Sequence, residues 1–468
     1  MSSKLNIKRI CPTRLISHKN ILYIFGCLSL LSVVSLLITL EKAEAMPSFA
    51  RQTGYACSSC HYQSFGPALN SFGRLFKLLG YTLGKPNKIP PVSAMARGSF
   101  TNTKEGQPGG AADDFGSNNN FALDEVSLFY AGRVWSKIGA FTQVTYDGVE
   151  KHVALDNTDI RFATTGTLLG QKSVYGIDLN NSPTVQDLWN TTPVWGFPYA
   201  DSPLAPGPEA GTLIDEGLAG QVIGLTAYAM FDNLLYLELG PYATLPAGVQ
   251  DAIGVDPEGE ARIKGVAPYW RVVLQHEWKG NYVSAGTFGL LSWVYPGRVK
   301  SAGTDRFTDL GFDLSYQYAG FKRQFIALNS AFIKEYQDLS ATKELGDSSN
   351  ASDSLETFRT NINYTVFSTI GFTAGYFQAT GTTDKGLYQP EPISGSANGS
   401  PDSKGYILEL DYVPFGQTNS FMSTYLNMRV GLQYTGYWKF NGASNNYDGS
   451  GRNASDNNTL YLYLWWAI

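Results

Sequence analysis

Charge is scarce in this sequence. Lys, Arg, Asp and Glu make up 16 % of its 468 residues, where a soluble globular chain carries about a quarter. Cysteine and histidine are scarce too, four of each, so thiol and imidazole chemistry have few positions to occupy. No basic run and an acidic pI near 5.5 leave nothing to neutralise phosphates, which excludes nucleic acid as a partner. No apolar stretch of spanning length follows residue 40, and the mean hydropathy is −0.15, so a bundle of membrane helices is excluded as well. Aromatics are abundant at 13 %, with 28 Tyr and 26 Phe, beside 49 Gly. That balance suits a β-rich chain with one apolar face.

The first twenty residues carry Lys4, Lys8, Arg9, Arg14 and Lys19 with no acid, an apolar run spans Ile21 to Leu40, and Ala43-Glu44-Ala45 follows. A basic start, an apolar middle and a small-x-small end make a secretory signal, expected to be cleaved after Ala45. A retained transmembrane anchor is the alternative.

With Cys11 and Cys27 removed, two cysteines remain, in Cys57-Ser58-Ser59-Cys60-His61. C-x-x-C-H is the attachment pattern of c-type haem. Two thiols on one turn add to the two vinyl groups, and the next imidazole ligates iron from the same face. A disulfide and half a zinc site are the other readings. Zinc needs two further ligands, which this segment lacks, and a redox C-x-x-C belongs in a βαβ pattern, which is also missing. Downstream, Phe65-Gly66-Pro67 opens an expected helix with Leu69, Phe72, Phe76 and Leu79 on one stripe, Arg74 and Lys77 on the other side, and Gly80 as its stop. Such a segment, residues 46–90, is too short to build a core alone and needs haem or a neighbour to pack on.

From Val92 onward the pattern changes to strict alternation. Leu310, Phe312, Leu314, Tyr316 and Tyr318 alternate with Asp309, Asp313, Ser315 and Gln317. Phe358, Ile362, Tyr364 and Val366 alternate with Arg359, Asn361, Asn363 and Thr365; Tyr406, Leu408, Leu410 and Tyr412 alternate with Glu409 and Asp411. Leu426, Met428, Val430 and Leu432 alternate with Asn427, Arg429 and Gln433, and Leu460, Leu462, Leu464, Trp466 and Ile468 share the last apolar face. Faces bearing Asp, Arg and Asn do not suit a sandwich interior; they fit a water-lined lumen, with the apolar face toward lipid. About sixteen such segments alternate between short turns (135–137, 232–233, 279–281, 319–320, 367–369) and long polar loops (103–120, 181–219, 246–265, 338–355, 381–403, 438–457). The expectation is an all-β fold: a 16-stranded transmembrane outer-membrane β-barrel over 91–468, with Trp135, Trp278 and Tyr318 in aromatic girdles and a small helical haem segment before it. A soluble periplasmic all-β domain is the alternative, and it explains neither the loop alternation nor the last strand.

The runs Met46–Gly54, Cys57–His61, Pro67-Ala68-Leu69-Asn70 and Phe72-Gly73-Arg74, with Asn180–Asp187 and Trp195–Tyr199, resemble the fused outer-membrane cytochrome–porins of iron-oxidising bacteria. The resemblance implies one covalent haem c inside a sixteen-stranded barrel, on Cys57 and Cys60 with His61 as axial ligand. It also implies electrons taken from extracellular Fe(II) and passed inward to periplasmic c-type cytochromes, an Fe(II):cytochrome c oxidoreductase embedded in outer-membrane lipid. A physical reason for the fusion stands apart from the resemblance. Ferric oxides are insoluble near neutral pH, so oxidation at the surface keeps mineral outside, and a haem in the lumen shortens an apolar gap of about 25 Å.

Strand parity ranks the candidates for the sixth ligand. Met95 faces the lumen on the first strand, Met230 faces it one residue before a turn, His152 lies near the cell exterior, and Met46 is within the haem segment. The order is Met95, Met230, His152, Met46, with an open or water-bound position also allowed, while His276 and Met428 fall on the lipid face. Acids at Asp251, Asp256, Glu258 and Glu260 in a loop, and Glu125, Asp309 and Asp313 in the lumen, are candidates for attracting a hard cation. Two other functions compete: a transport channel with a structural or sensory haem plug, and electron transfer with a different external donor or acceptor.

Overall fold

In the computed structural model, the described residues are 47–85, 90–215, 217–255, 262–320, 323–417, 420 and 426–468. The expected signal with its cleavage after Ala45, together with Met46, Asp256, Glu258 and Glu260, lies outside them. Among the described residues no helix is long and apolar enough to cross a membrane.

Sixteen long strands form one closed antiparallel sheet. They are β1 Val92–Thr103, β2 Asn120–Trp135, β3 Ile138–Asp147, β4 His152–Leu168, β5 Gln171–Asn180, β6 Val222–Phe231, β7 Leu235–Thr244 and β8 Ala267–Trp278. The second half comprises β9 Asn281–Tyr295, β10 Asp305–Tyr318, β11 Gln324–Asp338, β12 Ser352–Val366, β13 Ile370–Gly381, β14 Ser403–Tyr412, β15 Asn427–Lys439 and β16 Thr459–Ala467. A two-residue strand, Arg262–Ile263, adds to the outer end of β9. Each strand pairs with its sequence neighbours, and β16 closes on β1 from Met95↔Ala467 to Thr103↔Thr459. Closure removes every free edge, which is what allows a sheet to sit in hydrocarbon.

The alternation read from the sequence is the wall's inside and outside. Phe312, Ile362, Leu408 and Leu462 are exposed outward; Asp309, Asn363, Glu409 and Arg429 are buried inward. Hairpins at one end are tight because two consecutive residues take positive φ, as at Asp232-Asn233 and Lys279-Gly280, the twist that matches two antiparallel strands. Long loops gather at the other end.

Three expectations are corrected. The lumen is not water-lined at its middle: residues 47–85 fill the turn end, and the first part of the 181–219 loop folds inward, burying Val185, Leu188 and Trp189. The loop is anchored by Trp189, whose indole N–H donates to the Tyr282 hydroxyl at 2.5 Å, and by Thr191, which donates to Asp313 at 2.5 Å. The helix expected from Phe65 starts later. Helices α1 Pro47–Thr53 and α2 Ser71–Leu78 are separated by loop, because Gly66 takes φ +128° and Phe65 packs on Trp465. Arg74 and Lys77 are not on an open side. Arg74 donates to Gln317 at 3.0 Å and lies over the Tyr282 ring; Lys77 donates to the Val185 carbonyl at 2.7 Å.

Candidate functional site

The C-x-x-C-H segment folds as a single tight turn inside the barrel. Cys57–Ser59 is one turn of 3-10 helix, and the Cys60 and His61 amides both donate to the Cys57 carbonyl, at 3.1 and 2.9 Å. Neither thiol is in a disulfide. Asn70 clasps this turn to α2. Its side-chain oxygen caps the helix by accepting from the Phe72 and Gly73 amides, its side-chain N–H donates to the Ser59 carbonyl, and its backbone N–H donates to Cys60. Gly73 is where the two pieces meet: a Cβ there would lie 2.4 Å from the Cys60 carbonyl oxygen.

The wall holds the other side. Asn427, first residue of β15, donates to the Cys57 sulfur at 3.0 Å and to the Ser64 carbonyl at 2.8 Å. The Ser58 amide donates to Gly416, and Ser64 donates to the Ser368 carbonyl.

These residues fit a c-type haem. His61 Nδ1 lies 3.2 Å from the Ala68 carbonyl, a partner that fixes the tautomer with its proton on Nδ1 and leaves Nε2 as the ligating nitrogen. Burial pulls the His61 pKa down to about 4 and pushes the Cys60 thiol up to about 12. The imidazole is therefore neutral, as an iron ligand must be. The zinc alternative lacks ligands, since no group of three or more His, Cys, Asp or Glu is poised for a metal among the described residues.

The sixth-ligand candidates separate by position. Asn427 pairs with Ala467, and Ala467 with Met95, so Met95 stands on the rung of the Cys57 contact, two strands away or about 10 Å along the sheet. It is buried in the cluster that includes Phe65 and Trp465. Met230 lines a separate groove of about 790 Å³ between α2 and the wall, with Phe72, Leu75, Leu78 and Leu188. His152 is exposed at the outer end of β4, and His276 is exposed and stacks on Trp278. Of the loop acids, Asp251 is exposed.

Buried charge locks plug, loop and wall together. Arg161 sits between Asp159 at 2.8 Å and Asp178 at 3.1 Å; Arg271 between Asp187 and Asp313, both at 2.9 Å; Arg429 between Glu409 at 2.7 Å and Asp411 at 2.8 Å. Arg429 also reaches the Phe65 carbonyl. These arginines, with Asn70 and Asn427, are the site residues that the sequence reading missed. The inward parity of Arg429 and Asn427 was visible, but not what they would meet.

No known family profile matches the chain, and no curated protein does. Among solved structures, outer-membrane proteins are similar to it at low identity. OmpF of Salmonella typhi, in complex with daunomycin, is 13 % identical, with 81 % of this chain and 97 % of that one covered and a TM-score of 0.44. An anion-selective porin from Comamonas acidovorans is 11 % identical, with coverage of 80 % and 98 % and a TM-score of 0.44. The outer membrane channel DcaP of Acinetobacter baumannii is 9 % identical, with coverage of 81 % and 96 % and a TM-score of 0.40. The fold itself rests on the closed register and the apolar exterior, which together are an outer-membrane architecture. This chain is an outer-membrane β-barrel.

Proposed function

We propose that the barrel carries one covalent haem c on Cys57 and Cys60, with His61 as axial ligand, and transfers electrons across the outer membrane. The supporting observation is the closed 57–61 turn inside the lumen, with the His61 Nδ1 position held by the Ala68 carbonyl. When bound, the haem supplies a one-electron redox centre whose potential follows its axial ligands and burial. The chain's own residues do the rest. Cys57 and Cys60 tether, His61 presents Nε2, and Asn70 and Asn427 keep the turn from shifting. Met95 is the candidate distal ligand, on the same rung as the Asn427 contact. The donor in this reading is extracellular Fe(II) and the acceptors are periplasmic c-type cytochromes; both follow from the sequence resemblance.

The second reading is a porin-like transport channel with a haem-bearing plug. The barrel fold taken alone supports this better than it supports redox work, since nothing in the strands is specific to electron transfer. The packed lumen favours the first: residues 47–85 and the inward loop are buried against the wall by hydrogen bonds and ion pairs. Proteoliposomes enclosing oxidised cytochrome c, given Fe(II) on the outside only, separate the two. Reduction by the intact protein and none by His61→Ala is the expected result. Solute leakage without reduction would favour the channel, and reduction retained in His61→Ala would overturn the role assigned to the haem.

A further inference from the structure

Many of this barrel's cations stand beside an anion. Arg161, Arg271 and Arg429 are paired inside the lumen, and at the outer end Lys104, Lys151, Lys334 and Lys439 each reach a carboxylate. One outer sector is different. Arg262, Lys264, Lys300 and Arg306 are all exposed, and none of the four has an ion pair among the described residues. Asp338, opposite Arg306 in the β10–β11 register, accepts from the Ser340 hydroxyl at 2.7 Å instead.

The strand register places these cations. Ile263 pairs with Val294, both buried, and the Lys264 amide donates to the Trp293 carbonyl at 2.7 Å. Side chains alternate along a strand, so Arg262 and Lys264 lie on the outer face with Tyr295 and Trp293. Trp293 in turn pairs with Arg306. One rung of the outer face therefore reads Lys264, Trp293, Arg306, with the cations about 10 Å apart across the indole. Arg262 is one rung further out, and Lys300, in the loop after β9, adds a fourth charge. Below Arg306 on the same face stand Leu310, Phe312 and Leu314, all exposed. Arg306 precedes Tyr318, at the turn end, by 12 residues. That is about 40 Å of strand, or about 30 Å of height at the usual tilt, just past an apolar band of about 25 Å.

An apolar face, then an indole, then unpaired cations is the profile of a wall crossing a membrane surface. Long loops mark this end as external, so the leaflet is the outer one. We propose that the sector binds a phosphate-bearing lipid of that leaflet, an acylated saccharide of the lipid A type. Lys264 and Arg306 hold its phosphates, and its acyl chains run along Leu310 and Phe312. The Arg306 guanidinium offers a planar fork to phosphate oxygens and Lys264 a point charge. A soluble anion would gain nothing from the apolar strands below, whereas a lipid uses both. The site needs no haem and stands apart from the redox reading.

The probe is diphosphorylated lipid A, added to the full-length protein in neutral detergent and counted by native mass spectrometry, beside the same lipid stripped of its phosphates. The phosphorylated form is expected to stay bound at a concentration where the stripped form is lost. Lys264→Gln and Arg306→Gln should each weaken binding about fivefold, the usual worth of one cation at an anionic lipid surface. Lys172→Gln, in the groove at the turn end, should leave it unchanged. Sodium chloride should weaken binding to the native protein. Equal retention of the two lipids, or undiminished binding in the folded double variant Lys264→Gln/Arg306→Gln, would overturn the site. An equal loss in Lys172→Gln would overturn it too, by reducing the effect to overall charge.

Discussion

Asn427 donates its side-chain amide to the Cys57 sulfur at 3.0 Å, joining the fifteenth strand to a turn 370 residues earlier in the chain. The same amide holds the Ser64 carbonyl, so one wall residue fixes both ends of the segment that carries His61. Replacing it by alanine leaves a buried carbonyl unsatisfied, a cost of about 1–3 kcal/mol. Asn427→Ala is expected to lower the temperature at which the barrel loses its compact migration on denaturing gels. In the haem-loaded protein it should also broaden the absorption bands.

Gly73→Ala places a Cβ against the Cys60 carbonyl, a backbone atom that has no room to yield. Less haem per folded polypeptide is expected, read as the ratio of Soret to aromatic absorbance. Leu75→Ala, on the exposed side of α2, should leave that ratio unchanged.

Arg429 is the only cation shown on the buried Glu409–Asp411 pair among the described residues. Arg429→Met removes it and leaves two buried carboxylates uncompensated, expected to destabilise by about 3–5 kcal/mol. Because Arg429 also binds the Phe65 carbonyl, the same variant should loosen the plug and raise single-channel conductance in planar bilayers.

The sequence displayed the wall plainly and the interior hardly at all, and the reason is range. A strand facing lipid on one side and protein on the other repeats every two residues, so Leu310, Phe312 and Leu314 declare one face and Asp309 and Asp313 the other without any partner being known. The haem-attachment turn is likewise local. Arg74 and Lys77 looked like a solvated helix face because their partners, Gln317 and Val185, come from distant chain. The inward fold of the 181–219 loop was hidden in the same way: Val185, Leu188 and Trp189 sit among polar residues that pair with the wall rather than with water.

Among the outer loops, Asp384 is the anchor. Although burial alone would raise its pKa, hydrogen bonds from Ser349, Leu387, Asn350 and Ser348 hold the carboxyl well below its ordinary range. A depressed pKa contributes stability above the unfolded value, about 3.8, that is lost as pH falls through the folded value. Pepsin cleavage within 346–351 and 384–399 should stay slow at pH 5 and rise as the pH drops below the ordinary carboxylate range. Asp384→Asn should show the fast cleavage already at pH 5.

Peptide mass spectrometry of the folded protein, after expression with a c-type haem-maturation system, is the most direct test for a haem bonded inside the barrel. The expected result is a single haem adduct on the peptide containing Cys57, Cys60 and His61, with a Soret band that disappears in Cys57→Ser/Cys60→Ser. A folded, colourless barrel with both thiols unmodified would contradict it.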